Sequence, residues 1–406
     1  MGISSFLKAF KSTRYPMKKS DIKGSTIYID IMSVLYSIFH ATNKVAAKKE
    51  NEGETQNTLW VGVLISKHIG FIKSNINVYY VYDNPKAPSI KDHELQKRRT
   101  NRQKARDLLI EIKKIDLSEE SKIDINKIDD TDDPIMKKLK SDALGIVSSS
   151  DKNKKIQSLK SRTFVMTGNI IEQSKQILAL LGATIIETPY GYEGEQVAAH
   201  MAVHDMSKSP GRVVYVLSGD SDVLIFGAHI VNKYYIKIIK EAREAKNTGK
   251  KYIMPVIPDI MLLKRVIGRQ QSGNVFAFKY SLRDIMINTK NDCNALVKAG
   301  KTTNNSRFTL RNFIECAIHL GCDFAPKTHG WGPGTVLRKY RNKKAELTED
   351  QRKAYNMFRK ELDLKDVVVI NNKPDIESLL GILGHLNFNI TLWTKRITQV
   401  IPIKSK

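Results

Sequence analysis

Residues 26–40 read TIYIDIMSVLYSIFH and residues 78–83 read VYYVYD. Thr26–Ile29 and Val78–Tyr82 are short apolar runs of strand length, rich in β-branched and aromatic residues. Each delivers an aspartate, Asp30 or Asp83, as it ends. The apolar run onward to His40 reads as a helix, and Trp60–Phe71 as a second helix before the next strand. This alternation predicts an α/β fold with a mostly parallel central sheet flanked by helices. In such a sheet ligands bind outside the carboxyl ends of the strands. Asp30 and Asp83 therefore begin a candidate site.

Outward from this core the pattern repeats. Lys91 to about Lys114 is charged and helical in period, whereas residues 115–160 lose periodicity, with DDTDDP and SSSDKNKK as turn or disorder signals. Ile170–Leu181 has an amphipathic helical period that Gly182 stops. Thr184–Thr188 predicts a strand, and GYEGEQVAAHMAVHDM (191–206) a glycine-bearing turn opening a helix. Arg212–Leu217 is a buried strand running into SGDSDVLIFG (218–227). Residues 230–308 carry strand-like pieces, YIMPVI (252–257) and NVFAFKY (274–280), and a polar stretch near 287–307. FTLRNFIECAIHLGCDF (308–324) reads as a helix entering a turn, GWGPGTVLRKY (330–340) as a turn opening a helix, and the last sixty residues as helical. The expected organisation is an ordered region 1–114, a flexible stretch 115–160, a second ordered region 161–345 with an insertion at about 230–308, and a helical extension 346–406. No internal repeat is present.

The chain has 406 residues, of which 67 are Lys or Arg and 42 Asp or Glu, a formal charge of +25. A surplus of that size points to a polyanionic partner. With 41% hydrophobic residues the chain can bury a core. Three cysteines (Cys293, Cys316, Cys322) make neither a disulfide framework nor a zinc finger, so an intracellular compartment is expected. No apolar run suits a signal peptide or a membrane span, and Phe6 stands where a myristoylation motif needs Ser or Thr. Nucleic acid is left as the expected partner, with no membrane.

Seven carboxylates fall at element ends: Asp30, Asp83, Glu193, Glu195, Asp220, Asp222 and Asp323. Glu193/Glu195 and Asp220/Asp222 are i, i+2 pairs, which extended backbone directs to one side. So many acids in one place repel unless cations neutralise them. Hard oxygen donors without His or Cys suit Mg²⁺ or Mn²⁺, and two such ions about 3.5–4 Å apart could serve phosphodiester hydrolysis. Helix capping by each Asp in turn is the plainer alternative. His200 and His204, at i, i+4, offer half a zinc site that nothing else in the sequence completes, so a simple helix-face pair is expected. No phosphate-binding P-loop string occurs, which excludes an ATP-driven motor of that type.

In order, these blocks resemble the flap endonuclease/XPG family of structure-specific 5′ nucleases. IYIDIMSVLY and VYYVYDNPKAPSIKDHELQKRR are similar to its two first acidic segments. LLGATIIETPYGYEGEQVAA resembles its Glu-x-Glu segment, VLSGDSDVLIFG its Asp-x-Asp segment, and LGCDFAPKTHGWGPGTV its last acidic residue with a helix-turn-helix. The resemblance implies a PIN-like 5′ nuclease fold with a helical arch and a helix-turn-helix that binds duplex. It implies a metal-dependent endonuclease or 5′–3′ exonuclease acting on branched, flapped or nicked DNA in replication, repair or recombination. The seven carboxylates would then be metal ligands for two Mg²⁺ ions, with Mn²⁺ as a substitute.

By the same resemblance Lys91 and Arg98 hold the scissile phosphate at the base of the arch, Tyr36 stacks on a base beside the cut, and Gly2 contacts DNA. Gly330, Gly332 and Gly334 form the helix-turn-helix, where a monovalent cation is implied. A solvated basic face, core packing of Tyr36 and an ordinary turn are the respective plain readings. An RNA-directed nuclease of the same fold and a non-catalytic DNA-junction binder are the alternative functions. The terminal TQVIPIKSK lacks the family's sliding-clamp peptide, so no clamp partner is expected; a monomer is expected as well. The location expected is the nucleus, the host's if the chain is viral, or the cytoplasm.

Overall fold

The structure is a computed structural model. It describes residue 7 and residues 14–49, 58–86, 89–114, 149–209, 211–253, 258–265, 275–289, 309–341 and 346–401. Gly2, Cys293, the stretches 115–148 and 290–308, and the terminal residues 402–406 lie outside the described residues. The chain forms two units. The first comprises residues 1–35, 64–90 and 175–406, and the second residues 36–63 and 91–174.

The first unit is organised by an eight-stranded sheet. In chain order its strands are β1 (Tyr15–Lys18), β2 (Thr26–Asp30), β3 (Asn77–Tyr82), β4 (Thr184–Glu187), β5 (Val214–Leu217), β6 (Met261–Arg265), β7 (Val275–Ser281) and β8 (Val368–Asn371). Their spatial order is β1-β7-β6-β5-β2-β3-β4-β8. The five middle strands, β6-β5-β2-β3-β4, are parallel to one another. Each edge is closed by antiparallel pairing, β6 with β7, β7 with β1, and β4 with β8.

Burial follows position in the sheet. Every residue of β2 and of β5 is buried, as parallel strands covered on both faces must be. The edge strands β1 and β8 are mostly exposed. From β2 the chain winds outward through β3 and β4, then returns to lay β5 along the other side of β2. The strand order therefore reverses between β2 and β5, and the crevice at their carboxyl ends is the topological switch point. Asp30 closes β2, and Asp220 and Asp222 follow β5 within five residues.

Several sequence expectations need correction. Of the YIMPVI piece only Tyr252 and Ile253 are described, and neither lies in a strand. Residues 254–257 lie outside the described residues, and a strand falls on Met261–Arg265, because that run pairs along β5 and β7 with Leu262 and Leu263 fully buried. NVFAFKY does form β7. The helix that begins at Asp222 runs on to Asn247, well into the segment expected as an insertion, because Phe226, Ala228, Val231 and Ile238 keep one face in the core. The described part of the last sixty residues is mostly helical as expected, except for β8, whose VVIN run becomes a strand only through pairing with β4.

The remaining helices match their expected places. They include Ile31–Lys49, Leu59–Ile72, Gly168–Leu180, Gly194–Lys208, Leu310–His319 and Pro333–Arg341. Gly182 ends the Gly168–Leu180 helix at a φ of 77°, a left-handed conformation that favours glycine.

In the second unit the helix Asp92–Lys114 carries a buried stripe, Ala105, Leu108 and Ile112, at helical spacing. It packs on a helix at Ser149–Thr163, which buries Leu159. SSSDKNKK therefore opens a helix instead of a turn or disordered run: a tertiary partner outweighs its weak local preference. Phe39 stacks on both Trp60 and Phe164, at ring-centroid distances of 5.2 and 5.0 Å. Among the described residues no helix is long and apolar enough to cross a membrane.

Candidate metal centre

Asp30 is 5% exposed at the end of β2. Its Oδ2 accepts a 2.7 Å hydrogen bond from Ser218 Oγ, and its Oδ1 accepts the backbone N–H of Ser33 at 3.3 Å. The helix-capping reading is thus half right, since one oxygen caps the following helix while the other turns toward β5. Ser218 in turn accepts the N–H of Asp220 at 2.9 Å, and Ser33 Oγ accepts the N–H of Gly219 at 2.9 Å. Two serines thereby tie the end of β2 to the turn after β5. Burial pushes the Asp30 carboxyl up to about 7; the charge of Asp83 adds to this, the Ser218 and Ser33 hydrogen bonds oppose it, and Asp220 raises it further.

Asp83 follows β3 directly and is exposed. Its Oδ1 accepts the N–H of Gly194 at 2.7 Å, so the carboxylate sits on the positive end of the Gly194–Lys208 helix. A Cβ at position 194 would stand 2.6 Å from that oxygen, which explains the glycine between the two glutamates. Glu193 is the helix N-cap residue, yet its side chain makes no cap hydrogen bond. Glu195 lies in the first turn of the same helix.

Asp220 and Asp222 meet Glu195 across the crevice. Among the described residues these three form the only group whose ligand oxygens all lie within 4.8 Å of one another. Asp220 Oδ1 accepts the N–H of Asp222 at 3.1 Å, and Asp222 opens its helix. Asp323 stands on the turn after the Leu310–His319 helix, beside Cys322. Burial raises the Cys322 thiol, and the charges of Asp222 and Asp323 add to the effect, which places this turn within electrostatic reach of Asp222. All seven expected carboxylates belong to the first unit, and five of them, Asp30, Asp83, Glu195, Asp220 and Asp222, are linked by these contacts and fields. The donor set is all oxygen, and it fits a hard divalent cation.

Three residues here were not legible from motifs. Lys264, near the end of β6, is pushed down by burial, while the charges of Asp220, Asp222 and Glu195 pull it back up. It is a built-in cation beside the acidic group, and no sequence motif marks it. Ser33 and Gly194 have positioning roles that only the contacts reveal; the SGDSD string at least contained Ser218.

Lys91, Arg98 and Tyr36 belong to the second unit. Lys91 ends a short 3-10 turn, Ser89–Lys91, just before the Asp92–Lys114 helix that carries Arg98. Arg98 pairs with Glu94 one turn back at 3.1 Å. Tyr36 is half-buried and meets Phe164 edge-on at 6.1 Å.

In the first unit, Gly330 takes a φ of 71° and Pro333 occupies the first position of its helix. The turn is braced by His319, which stacks on Trp331 at 4.5 Å, and by Thr328, which accepts a 2.8 Å hydrogen bond from Gln351. A Cβ at Gly332 or Gly334 would meet nothing within 4 Å.

The XPG N-terminal domain family matches residues 1–105. Flap endonuclease 1 of Korarchaeum cryptofilum is 26% identical over 260 residues, covering 62% of this chain and 60% of that protein. Flap endonuclease 1 of Entamoeba histolytica is 25% identical over 426 residues, covering 100% of this chain and 88% of that protein. The match takes in 60% and 40% of the length of the Korarchaeum and Plasmodium chabaudi relatives. Among solved structures, flap endonuclease-1 from Methanococcus jannaschii superposes with a TM-score of 0.53 at 16% identity, over 96% of this chain and 95% of that one. The catalytic core of Rad2 in complex with DNA substrate gives 0.53 at 13%, over 98% and 100%. At those identities the superpositions establish the fold.

Proposed function

We propose that this chain is a member of the flap endonuclease/XPG family, as its N-terminal match and its relatives support, and that it is a divalent-metal-dependent nuclease, specific for structure, that hydrolyses phosphodiester bonds of branched or nicked DNA. The observation that carries the reading is the oxygen-only group Glu195, Asp220 and Asp222 at the switch point, with Asp30 held beside it through Ser218. Mg²⁺ or Mn²⁺, two per chain, would supply the Lewis acidity that the hydrolysis needs.

The chain's own groups have distinct tasks. Glu195, Asp220, Asp222 and Asp30 hold the cations, with Asp83, Glu193 and Asp323 as further ligands or partners of bound water. Ser218 and Ser33 orient Asp30, and the Gly194 N–H orients Asp83. Lys264 offsets part of the negative charge. Lys91 and Arg98 take the scissile phosphate and stabilise charge that develops on it, and Tyr36 stacks on a neighbouring base.

Gly332 and Gly334 support the duplex contact. Neither has a steric reason inside the chain, and Gly334, which lies in the first turn of its helix, is a poor helix former. A turn left bare lets a phosphodiester backbone approach the main chain, which grips without reading sequence. The Rad2 core, as its structure states, binds a DNA substrate on the same fold.

The test is cleavage of a 5′-labelled flapped duplex by the purified chain, with single-stranded RNA in parallel. Cleavage should require Mg²⁺ and vanish in Asp220→Ala and Asp30→Ala while DNA binding persists. Undiminished cutting by either variant would remove the site assignment, and faster cutting of RNA would move the substrate.

A further inference from the structure

The helices Gly194–Lys208 and Asp222–Asn247 pack together and, below the acidic group, help to line a half-open pocket of about 200 Å³. Its polar lining is His200, His204, His229, Lys233, Tyr234 and Glu361. His200 and His204 lie one turn apart on one helix face. The fold supplies what the sequence did not: His229 from the facing helix and Glu361 from the segment after the Glu349–Phe358 helix.

His229 is 7% exposed, and its Nε2 has no hydrogen-bond partner among the described residues. A buried ring nitrogen left unmatched is unfavourable, and it calls for a ligand. Burial lowers His200 and His229 to about 4, with neighbouring positive charge adding to the effect, and it lowers His204 as well. At neutral pH these imidazoles are uncharged, and metal can bind them without displacing a proton.

We propose that this pocket is a second metal site, nitrogen-rich and separate from the acidic one, which takes a Zn²⁺-class ion through His200, His204 and His229 with Glu361 as an oxygen ligand. Such a donor set suits a borderline-soft ion and not Mg²⁺. No three of these donors now bring their atoms within 4.8 Å of one another, so capture requires side-chain rotation. His204 and Glu361 would supply it: the first is half-buried, and the second, though paired with Lys233, is 73% exposed. An exposed ion pair of that kind is worth far less than a zinc–imidazole bond. Lys233 and Arg359 oppose a cation here, and release of Glu361 toward the ion offsets one of them.

The ion would staple together the two helices whose first turns carry Glu195 and Asp222. His200 follows Glu195 by five residues and His229 follows Asp222 by seven, about 7.5 and 10.5 Å along the helix axes. Zinc would then act as a structural brace for the metal centre above it.

The test uses the full chain, stripped of metal, in an Asp220→Asn background that weakens the acidic site. Titration with Co²⁺ should show one equivalent with the intense visible absorption of a low-coordinate, nitrogen-ligated ion. Zn²⁺ should raise the melting temperature of the same protein. His204→Gln and His229→Gln should each weaken Co²⁺ binding at least tenfold. Should His229→Gln fail to fold, His204→Gln decides alone. Only the faint colour of an oxygen-ligated ion, or intense colour indifferent to His204→Gln, would overturn the proposal.

Discussion

Asp30 gives a prediction whose sign is unusual for a carboxylate. Its carboxyl, ordinarily near 3.8, is raised to about 7 by burial and by Asp83. The folded chain therefore holds a proton that the unfolded chain has released. Stability falls as pH rises from about 4 to 7, and above 7 the whole penalty is present. A rise of about three units corresponds to roughly 4 kcal/mol. Asp30→Asn removes the charge and weakens the Ser218 and Ser33 hydrogen bonds, a loss of about 1 kcal/mol. In chelator, the variant should exceed the wild type by about 1 kcal/mol near pH 5 and about 3 kcal/mol near pH 8. The hydrogen-bond loss is common to both conditions, so the widening of the gap isolates the buried charge. Urea unfolding followed by circular dichroism reads it. Saturating Mg²⁺ near pH 8 should stabilise the wild type and close the gap. A gap that stays flat or narrows with rising pH would refute the electrostatic account of the site.

Three further perturbations probe its parts. Lys264→Met removes the cation beside Glu195, Asp220 and Asp222, and calorimetry should show Mg²⁺ binding on the order of tenfold tighter; weaker binding would mean that Lys264 does not oppose the metal. Gly194→Ala drives a Cβ against Asp83 and should cut cleavage on the order of a hundredfold through misplacement of the carboxylate, with kcat as the readout and the fold checked by circular dichroism. Gly334→Ala meets no neighbour; it should stabilise the chain by about 0.5–1 kcal/mol in urea unfolding while weakening duplex binding, and unchanged binding would return the turn to an ordinary structural role.

The sequence showed most clearly what is dictated locally. β2, β3, β4 and β5 are apolar runs that a parallel sheet requires, and the carboxylates at their ends were visible as motifs. β1 and β8 were not, because YPMK and VVIN are largely exposed and become strands only through distant partners. The Ser149–Thr163 helix and the full Asp222–Asn247 helix were hidden for the same reason: their apolar faces have meaning only against the surfaces they cover. Within the site, Lys264 is an ordinary lysine in MLLKR until β6 is laid beside β5. His229 likewise joins His200 and His204 only when two helices pack.

The strand that closes the sheet also sets a timetable for synthesis. Thr184 of β4 bonds to Asn371 of β8, 187 residues later in the chain. At roughly 5–20 residues per second, the ribosome needs roughly ten to forty seconds to make that stretch. Throughout, the nascent chain presents an open β4 edge that another strand could join. Release from the ribosome before residue 371 would leave that edge permanently unsealed, so truncated products should aggregate even though every carboxylate of the acidic group has already been made.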